Sequence, residues 1–228
     1  MVYLQNMSKR LKIVLLVIIG VLLADQLIKI HIKTHFFLGE EHVFFSWFRI
    51  HFIENPGMAF GMEFGGFWGK LVLSVFRICA AAFGIYYLRQ IIIKKYHVGY
   101  VAAIAFVFAG AVGNILDSMF YGIAFSESTG FEPAHFLPIE GGYAGFLHGR
   151  VVDMFYFPLV EGNFPTWIPI WGGEDFMFFR PIFNLADASI SAGVILILLF
   201  QKTFFKENQL AENATETAPQ QESENNSI

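Results

Sequence analysis

The sequence predicts a mainly α-helical, polytopic membrane protein: four transmembrane helices, a small β-sheet on the outer face and an extended second outer loop. Three observations carry that prediction. Of the 228 residues, 55% are apolar and only 15% charged, and the mean hydropathy is +0.53, well above an ordinary soluble domain. The apolar residues gather in long runs, and about 20 of them in a helix cross a bilayer. Basic residues then flank alternate ends of those runs, which gives the chain a consistent orientation.

The first span falls near 11–31, behind Lys9, Arg10 and Lys12. Its start imitates a secretory signal, but "ADQLIKI" follows "IVLLVIIGVLL" with no small-x-small cleavage pattern, so the span is expected to remain uncleaved. Residues 32–68 form a first outer loop. Within "EHVFFSWFRIHFIENPGMAFGM", aromatic and β-branched residues run up to an Asn-Pro-Gly turn, which predicts two short strands and a small sheet at the membrane surface. Its rings suit the headgroup layer. Spans near 69–93 and 98–121 are joined by a short turn beside Arg89, Lys94 and Lys95. A second outer loop, 122–181, carries Glu127, Glu132, Glu140, Glu161, Glu174 and Asp175 against only Arg150 and Arg180, and its "VVDMFYF" segment is strand-like. The last span, 182–204, ends at Lys202 and Lys206. The positive-inside rule puts both termini in the cytoplasm. Residues 1–205 thus read as a single membrane domain, and the polar, acidic tail 206–228 has too little to bury and is expected to be disordered. There is no internal repeat.

Cys79 is the single cysteine and excludes an internal disulfide. No basic face is available to neutralise phosphates, so nucleic acid is not an expected partner. His31 and His35 in "HIKTH" have a ligand spacing, but the adjacent Glu of the zinc-peptidase pattern is missing, and no metal or other cofactor is expected.

What needs explaining is the set of ionisable and amide side chains at the outer ends of the spans, where burial is costly and a functional interior is the default reading. Asp25 and Lys29 lie four apart with the acid first, the favourable order for an intrahelical pair. Gly110, Asn114 and Asp117 share one stripe of the third span; Gly110 and Gly113 let a neighbouring helix approach, and Asn114 can bond across the contact. Asp153, enclosed by Val151, Val152, Met154 and Phe155, reads either as a desolvated carboxylate or as a strand Asp with one wet side. Asn184 and Asp187 open the fourth span as a capping-box-like pair, and the helix dipole favours a carboxylate there. Capping accounts for each residue separately. It does not account for Asp153, Asp187, Asn55, Asn114 and Asp25 collecting on one face. Two carboxylates brought together share a proton, so one can accept a proton from water while the other polarises a carbonyl. That chemistry is an aspartic peptidase's and needs no metal, serine or thiol.

Taken in order, "DQLIK" (25–29), "NPGMAFG" (55–61), "GAVGNILD" (110–117), "GRVVD" (149–153) and "FNLAD" (183–187) resemble the motifs of the lipoprotein signal peptidases, the type II signal peptidases of bacteria. The resemblance covers nearly everything except the tail and the middle of the second loop. It implies an aspartyl endopeptidase of the bacterial inner membrane. Such an enzyme removes the signal peptide from diacylglyceryl-modified prolipoproteins just before the lipidated cysteine. Asp153 and Asp187 would be the catalytic dyad. Asn114 and Asn184 would position the dyad or substrate backbone, Asn55 and Gly57 would contact substrate from the surface sheet, and Asp25, Lys29, Gly110 and Asp117 would support the architecture. Prolipoproteins and membrane lipids are the expected partners, and a monomer is the expected state. No cysteine follows the first apolar run, so the chain is not itself a lipoprotein precursor.

Two departures stand out. The family usually has an Arg after the third-span Asp, where this chain has Ser118; Arg150 or Arg180 is the expected substitute. Residues 122–149 are an additional stretch before the catalytic "VVD" motif and read as an extra outer-face loop. The main rival reading is a proton-coupled transporter or channel, which prefers ionisable residues near mid-bilayer and a path to both faces. Here the acids concentrate at one face, and Arg77 inside the second span is explained by snorkelling. Of the two carboxylates, the dipole favours Asp187 as the ionised member, leaving the shared proton on Asp153.

Overall fold

The structure, a computed structural model, describes residues 2–56, 66–158, 160–170, 172–178 and 182–204. Four of its helices are long and apolar enough to cross a membrane, at Lys9–His35, Trp68–Ile93, Val98–Ala124 and Leu185–Phe204, each within a few residues of the predicted span. They are labelled α1 (Val2–His35), α2 (Gly66–Ile93), α3 (Val98–Leu116) and α4 (Leu185–Phe204). Many of their large apolar side chains stay exposed, among them Leu16, Leu27, Phe76 and Leu199, as expected where the solvent is lipid.

At one end of the bundle, Val14, Leu88, Ile91, Tyr100, Val101 and Phe204 pack as an apolar cluster. There Arg10 donates through Nε to the carbonyl of Tyr96 at 3.0 Å and through Nη2 to that of Lys95 at 3.2 Å. The basic start of α1 and the 94–97 turn therefore lie together. The interior stripe of α3 is small, with Ala103, Ala105, Ala109, Gly110 and Gly113 buried. A Cβ on Gly110 would come within 2.2 Å of the Ala186 carbonyl oxygen and 2.7 Å of Ile190 Cγ1. Close approach of α4 to α3 therefore depends on that glycine.

The other end carries the sheet. Strands β1 (Glu41–Phe45), β2 (Phe48–Asn55), β3 (Val151–Tyr156) and β6 (Ile182–Phe183) form one antiparallel sheet in the order β1-β2-β3-β6. The hairpin turn falls at Ser46–Trp47 and the Asn-Pro pair ends β2 rather than joining the strands. Strands β4 (Val160–Asn163) and β5 (Asp175–Phe178) make a separate hairpin. Alternation along β3 sends Val152 and Met154 to one face, where they pack with Ile32, Phe52, Tyr121, Phe125 and Ala134. Asp153 takes the other face. Neither face of β3 is wet: Asp153 is only 2% exposed, which removes the reading of a half-solvated strand Asp.

Residues 126–149 fold back over the sheet end. Backbone N–H groups of Leu137, Tyr143, Ala144, Leu147 and Gly149 donate to carbonyls of Ala124, Phe125, Gly122, Met119 and Ser118, in the segment that follows α3. The extra loop is thus a packed layer laced to that segment, with Ser74 of α2 donating to the Leu147 carbonyl at 3.0 Å.

Candidate active site

Where α3 ends, its winding widens into a π-turn, Asp117–Tyr121, a distortion that recurs at functional sites. The Ser118 hydroxyl donates back to the Asn114 carbonyl at 3.1 Å, and the Gly149 amide donates to the Ser118 carbonyl at 2.9 Å. A Cβ on Gly149 would meet the Asp117 carbonyl oxygen at 2.1 Å, so glycine lets the chain entering β3 pass against the turn. Asp117 then accepts from the backbone N–H of Val152 at 3.4 Å, which fixes β3 one residue ahead of Asp153.

The start of α4 is a reciprocal capping box. Asn184 Oδ1 accepts from the Asp187 amide at 3.0 Å, while Asp187 Oδ2 accepts from the Asn184 amide at 3.3 Å. Another free amide of the first turn, on Ala186, donates to Asp25 Oδ1 of α1 at 2.9 Å. Capping and clustering therefore prove to be one arrangement.

Beneath lies a buried ionic centre. Lys29 Nζ reaches Asp25 Oδ2 at 2.9 Å, Asp117 Oδ2 at 2.8 Å and Asn114 Oδ1 at 2.9 Å, and all three charged side chains are inaccessible. An ammonium has three protons and accepts nothing, so its donors are saturated. Because Lys29 only donates, Asn114 must turn its oxygen towards it. The Asn114 amide nitrogen then faces Asp187 Oδ1, at 2.8 Å. Asn184 Nδ2 in turn donates to Asn114 Oδ1 at 3.1 Å and to Asp153 Oδ1 at 2.7 Å, and Asn55 Nδ2 donates to Asp153 Oδ2 at 3.3 Å. A single ammonium thus orders two amides, and the amides present N–H donors to both carboxylates. Burial first, then the nearby charge of Asp187, push the Asp153 carboxyl up to about 7, against the downward pull of Asn184 and Asn55.

The structure therefore brings Asp25, Lys29, Asn55, Asn114, Asp117, Asp153, Asn184 and Asp187 into one network, with Gly110 behind it. Gly57 and Arg180 lie outside the described residues. Arg150 does not reach the carboxylate pair. Its guanidinium bonds Glu54 Oε2 at 3.0 Å and Glu127 Oε1 at 2.6 Å, which hold it above its usual range despite partial burial. Glu54 also pairs with Lys33, and Ser128 donates to it at 2.7 Å. Burial pushes Glu54 up, but Lys33 and these donors outweigh burial and hold its carboxyl below the ordinary range. His31 and His35 stack at 4.3 Å, and no group of three or more metal-ligating side chains occurs among the described residues.

Sequence reasoning missed three participants. Gln26 donates to Asp117 Oδ1 at 2.9 Å and accepts from the Tyr121 hydroxyl at 3.1 Å; the signal was a second polar residue inside a span, next to Asp25. Lys33 continues the Asp25–Lys29 spacing by one more turn and was not placed with them. Arg77 lines a groove of about 500 Å³ between α2, α3 and α4, together with Asn114 and Asp187. Snorkelling away from the bundle does not describe it.

A four-helix membrane bundle that holds one buried and one groove-lining carboxylate in a shared amide network has the build of an integral membrane enzyme. A family model for signal peptidase (SPase) II matches residues 17–203, and the chain belongs to that family and is a membrane peptidase. It is 52% identical over 189 residues to the lipoprotein signal peptidase of Porphyromonas gingivalis strain W83, covering 82% of each chain. It is 33% identical over 180 residues to that of Amoebophilus asiaticus strain 5a2, covering 78% of this chain and 72% of the relative. A solved bacterial membrane enzyme superposes with a TM-score of 0.51 at 24% identity, over 83% of this chain and 87% of its own, which speaks to the fold alone.

Proposed function

We propose that the protein is an aspartyl endopeptidase that removes signal peptides from diacylglyceryl-modified prolipoproteins, with Asp153 and Asp187 as its dyad. One observation carries the assignment. A single residue, Asn184, donates from its side chain to Asp153 and from its backbone to Asp187, so two acids from distant parts of the chain are held as one unit. Asp187, ionised, takes a proton from a water that attacks the scissile carbonyl carbon. Asp153, still protonated up to about pH 7, donates to the carbonyl oxygen. On collapse of the tetrahedral intermediate the C–N bond breaks, the proton held by Asp187 passes to the leaving amine, and one hydroxyl of the gem-diol returns its proton to Asp153, which restores the pair.

Orientation follows from charge. Lys9, Arg10, Lys12, Arg89, Lys94, Lys95 and Lys202 sit at the end of the bundle opposite the sheet, which supports a cytoplasmic position for that end and an outer-face position for the dyad. A substrate's apolar signal helix ends at that depth, so its scissile bond meets the dyad while the diacylglyceryl group stays in the bilayer. Membrane lipids are then the surrounding partner, and a monomer holds the whole site, because every bond of the network lies within one chain.

The test is cleavage of a diacylglyceryl-modified prolipoprotein by purified wild type, Asp153→Asn, Asp187→Asn and Asp117→Asn. The first two variants should be folded and inactive, Asp117→Asn should retain activity, and a chelator should leave the wild type unaffected. Cleavage by both dyad variants, or a metal requirement, overturns the assignment.

A further inference from the structure

Negative charge exceeds positive charge in the buried centre. Asp25 and Asp117 carry two negative charges against one on Lys29, and the Asp153–Asp187 pair adds another when it holds a single proton. Lys29 is saturated by Asp25, Asp117 and Asn114. Lys33 is committed to Glu54, and Arg150 to Glu54 and Glu127. A second cation for the pair has to come from elsewhere, and α2 provides one.

Arg77 is partly buried in the groove wall. The stripe of α2 that faces the groove reads Arg77, Ala80, Ala81, Gly84, the i, i+3, i+4, i+7 spacing of one helix face. Small residues below Arg77 leave the groove open there, and Tyr87, further along the same wall, is engaged through its hydroxyl with Tyr100 at 2.7 Å. On the opposite wall, α3 places Ala111 and Asn114 and α4 places Asp187. The guanidinium lies within electrostatic reach of Asp187 and Asp117. Ser118, one residue after Asp117, is buried, bonds the Asn114 carbonyl and brings no charge.

We infer that Arg77 is a positioning residue for the dyad: from α2, its guanidinium holds Asp187 as the ionised member and leaves the shared proton on Asp153. This rests on the dyad reading above. Among the described residues, the other titratable groups around the pair and its groove are Asp25 and Lys29 from α1, Asp117 at the end of α3 and Tyr87 from α2. Of these only Lys29 is cationic, and its bonds are spent. A cation near a carboxylate favours the charged form; without Arg77, the ionised member takes up its proton at higher pH.

The test is the pH dependence of kcat for wild type, Arg77→Gln, Arg77→Lys and Arg77→His on a diacylglyceryl-modified prolipoprotein, with folding checked by thermal melting. Arg77→Gln should move the acidic limb upward by about 1 pH unit, and Arg77→Lys should leave it in place. Arg77→His, whose imidazole loses its charge near pH 6.5, should track the Lys variant at low pH and lie above it at about pH 7 and higher, where loss of the cation lets the pair keep its remaining proton. If Arg77→Gln does not fold, the comparison of the His and Lys variants decides alone. An unmoved limb in Arg77→Gln, or His and Lys variants that run parallel at every pH, overturns the inference. Inactive Asp153→Asn and Asp187→Asn with an unmoved limb sinks only the role of Arg77, whereas activity in both dyad variants sinks the reading beneath it.

Discussion

Replacing Lys29 by Met tests the buried centre most directly, because three interactions end at one atom. The ammonium holds Asp25 at 2.9 Å and Asp117 at 2.8 Å with no solvent access on either side. Removing one partner of such a pair leaves buried charge uncompensated and costs about 3–5 kcal/mol, with methionine filling most of the vacated volume. The expected result is a loss of about 3 kcal/mol or more in unfolding from detergent or lipid, read by helical circular dichroism. Adding Asp25→Asn and Asp117→Asn to Lys29→Met removes the stranded charges, so most of that stability should return. Turnover should not. Without the ammonium nothing compels Asn114 to point its oxygen away from Asp187, and the 2.8 Å donor to Asp187 is lost in a fraction of molecules. A cost below about 1 kcal/mol for Lys29→Met, the range of an ordinary substitution, would refute the electrostatic reasoning. A triple variant with full turnover would refute the amide-orientation argument.

Four further outcomes follow from the same geometry. With Asp153 at about 7, kcat/KM should fall as pH rises above about 7, and Asn184→Ala, which removes a donor to the anion, should move that limb upward. Because the fold binds this proton more tightly than the unfolded chain does, the stability Asp153 contributes is full below about pH 4 and declines towards pH 7, which pH-dependent melting of wild type against Asp153→Asn would show. Gly110→Ala should separate α3 from α4, since its Cβ would sit 2.2 Å from a backbone oxygen that cannot yield; a loss of about 1–3 kcal/mol with a sharp drop in turnover is expected, against little change for Gly20→Ala, which has open space. Glu54 is held below the ordinary carboxylate range, so its contribution is present above about pH 4 and lost as pH falls further. Proteolytic cleavage within 126–149 should rise in acid, and Glu54→Gln should show that susceptibility already at neutral pH.

The four spans were legible because their signal is additive: twenty apolar residues and a basic flank outweigh any local ambiguity. Strands β1 to β3 were legible from ring-rich and β-branched runs, and the Asn184–Asp187 cap from its spacing. Other features were not, and each for a physical reason. The environment of Asp153 depended on what covers the second face of β3, which is set by contacts about a hundred residues apart, such as Asn55 with Asp153. The π-turn at Asp117–Tyr121 left no periodicity signal, because one extra residue per turn does not disturb an apolar run. Arg150 was a reasonable substitute for a guanidinium missing at Ser118, but the sequence could not reveal that Glu54 and Glu127 had already claimed it. Residues 126–149 gave no periodic pattern since they are ordered by backbone carbonyls of 118–125 rather than by a pattern of their own.

The proposed dyad is held by the devices that end helices, and this explains how a membrane protein keeps two acids rigid without a large soluble core. Asn184 and Asp187 satisfy each other's amides at the start of α4, Asp25 takes the Ala186 amide, and Asp117, at the end of α3, takes the Val152 amide of β3. Each of these bonds would be needed in lipid even with no chemistry to perform, because a backbone N–H left unpaired there is costly. Fixing the carboxylates therefore adds little beyond what closing the helices already requires. The additional requirement is electrostatic: four acids sharing one proton need cations at matching depth. Lys29 meets part of it from α1, and Arg77, by the inference above, meets a further part from α2. Loss of either should show in the ionisation of the pair, whereas loss of a cap should show first in stability.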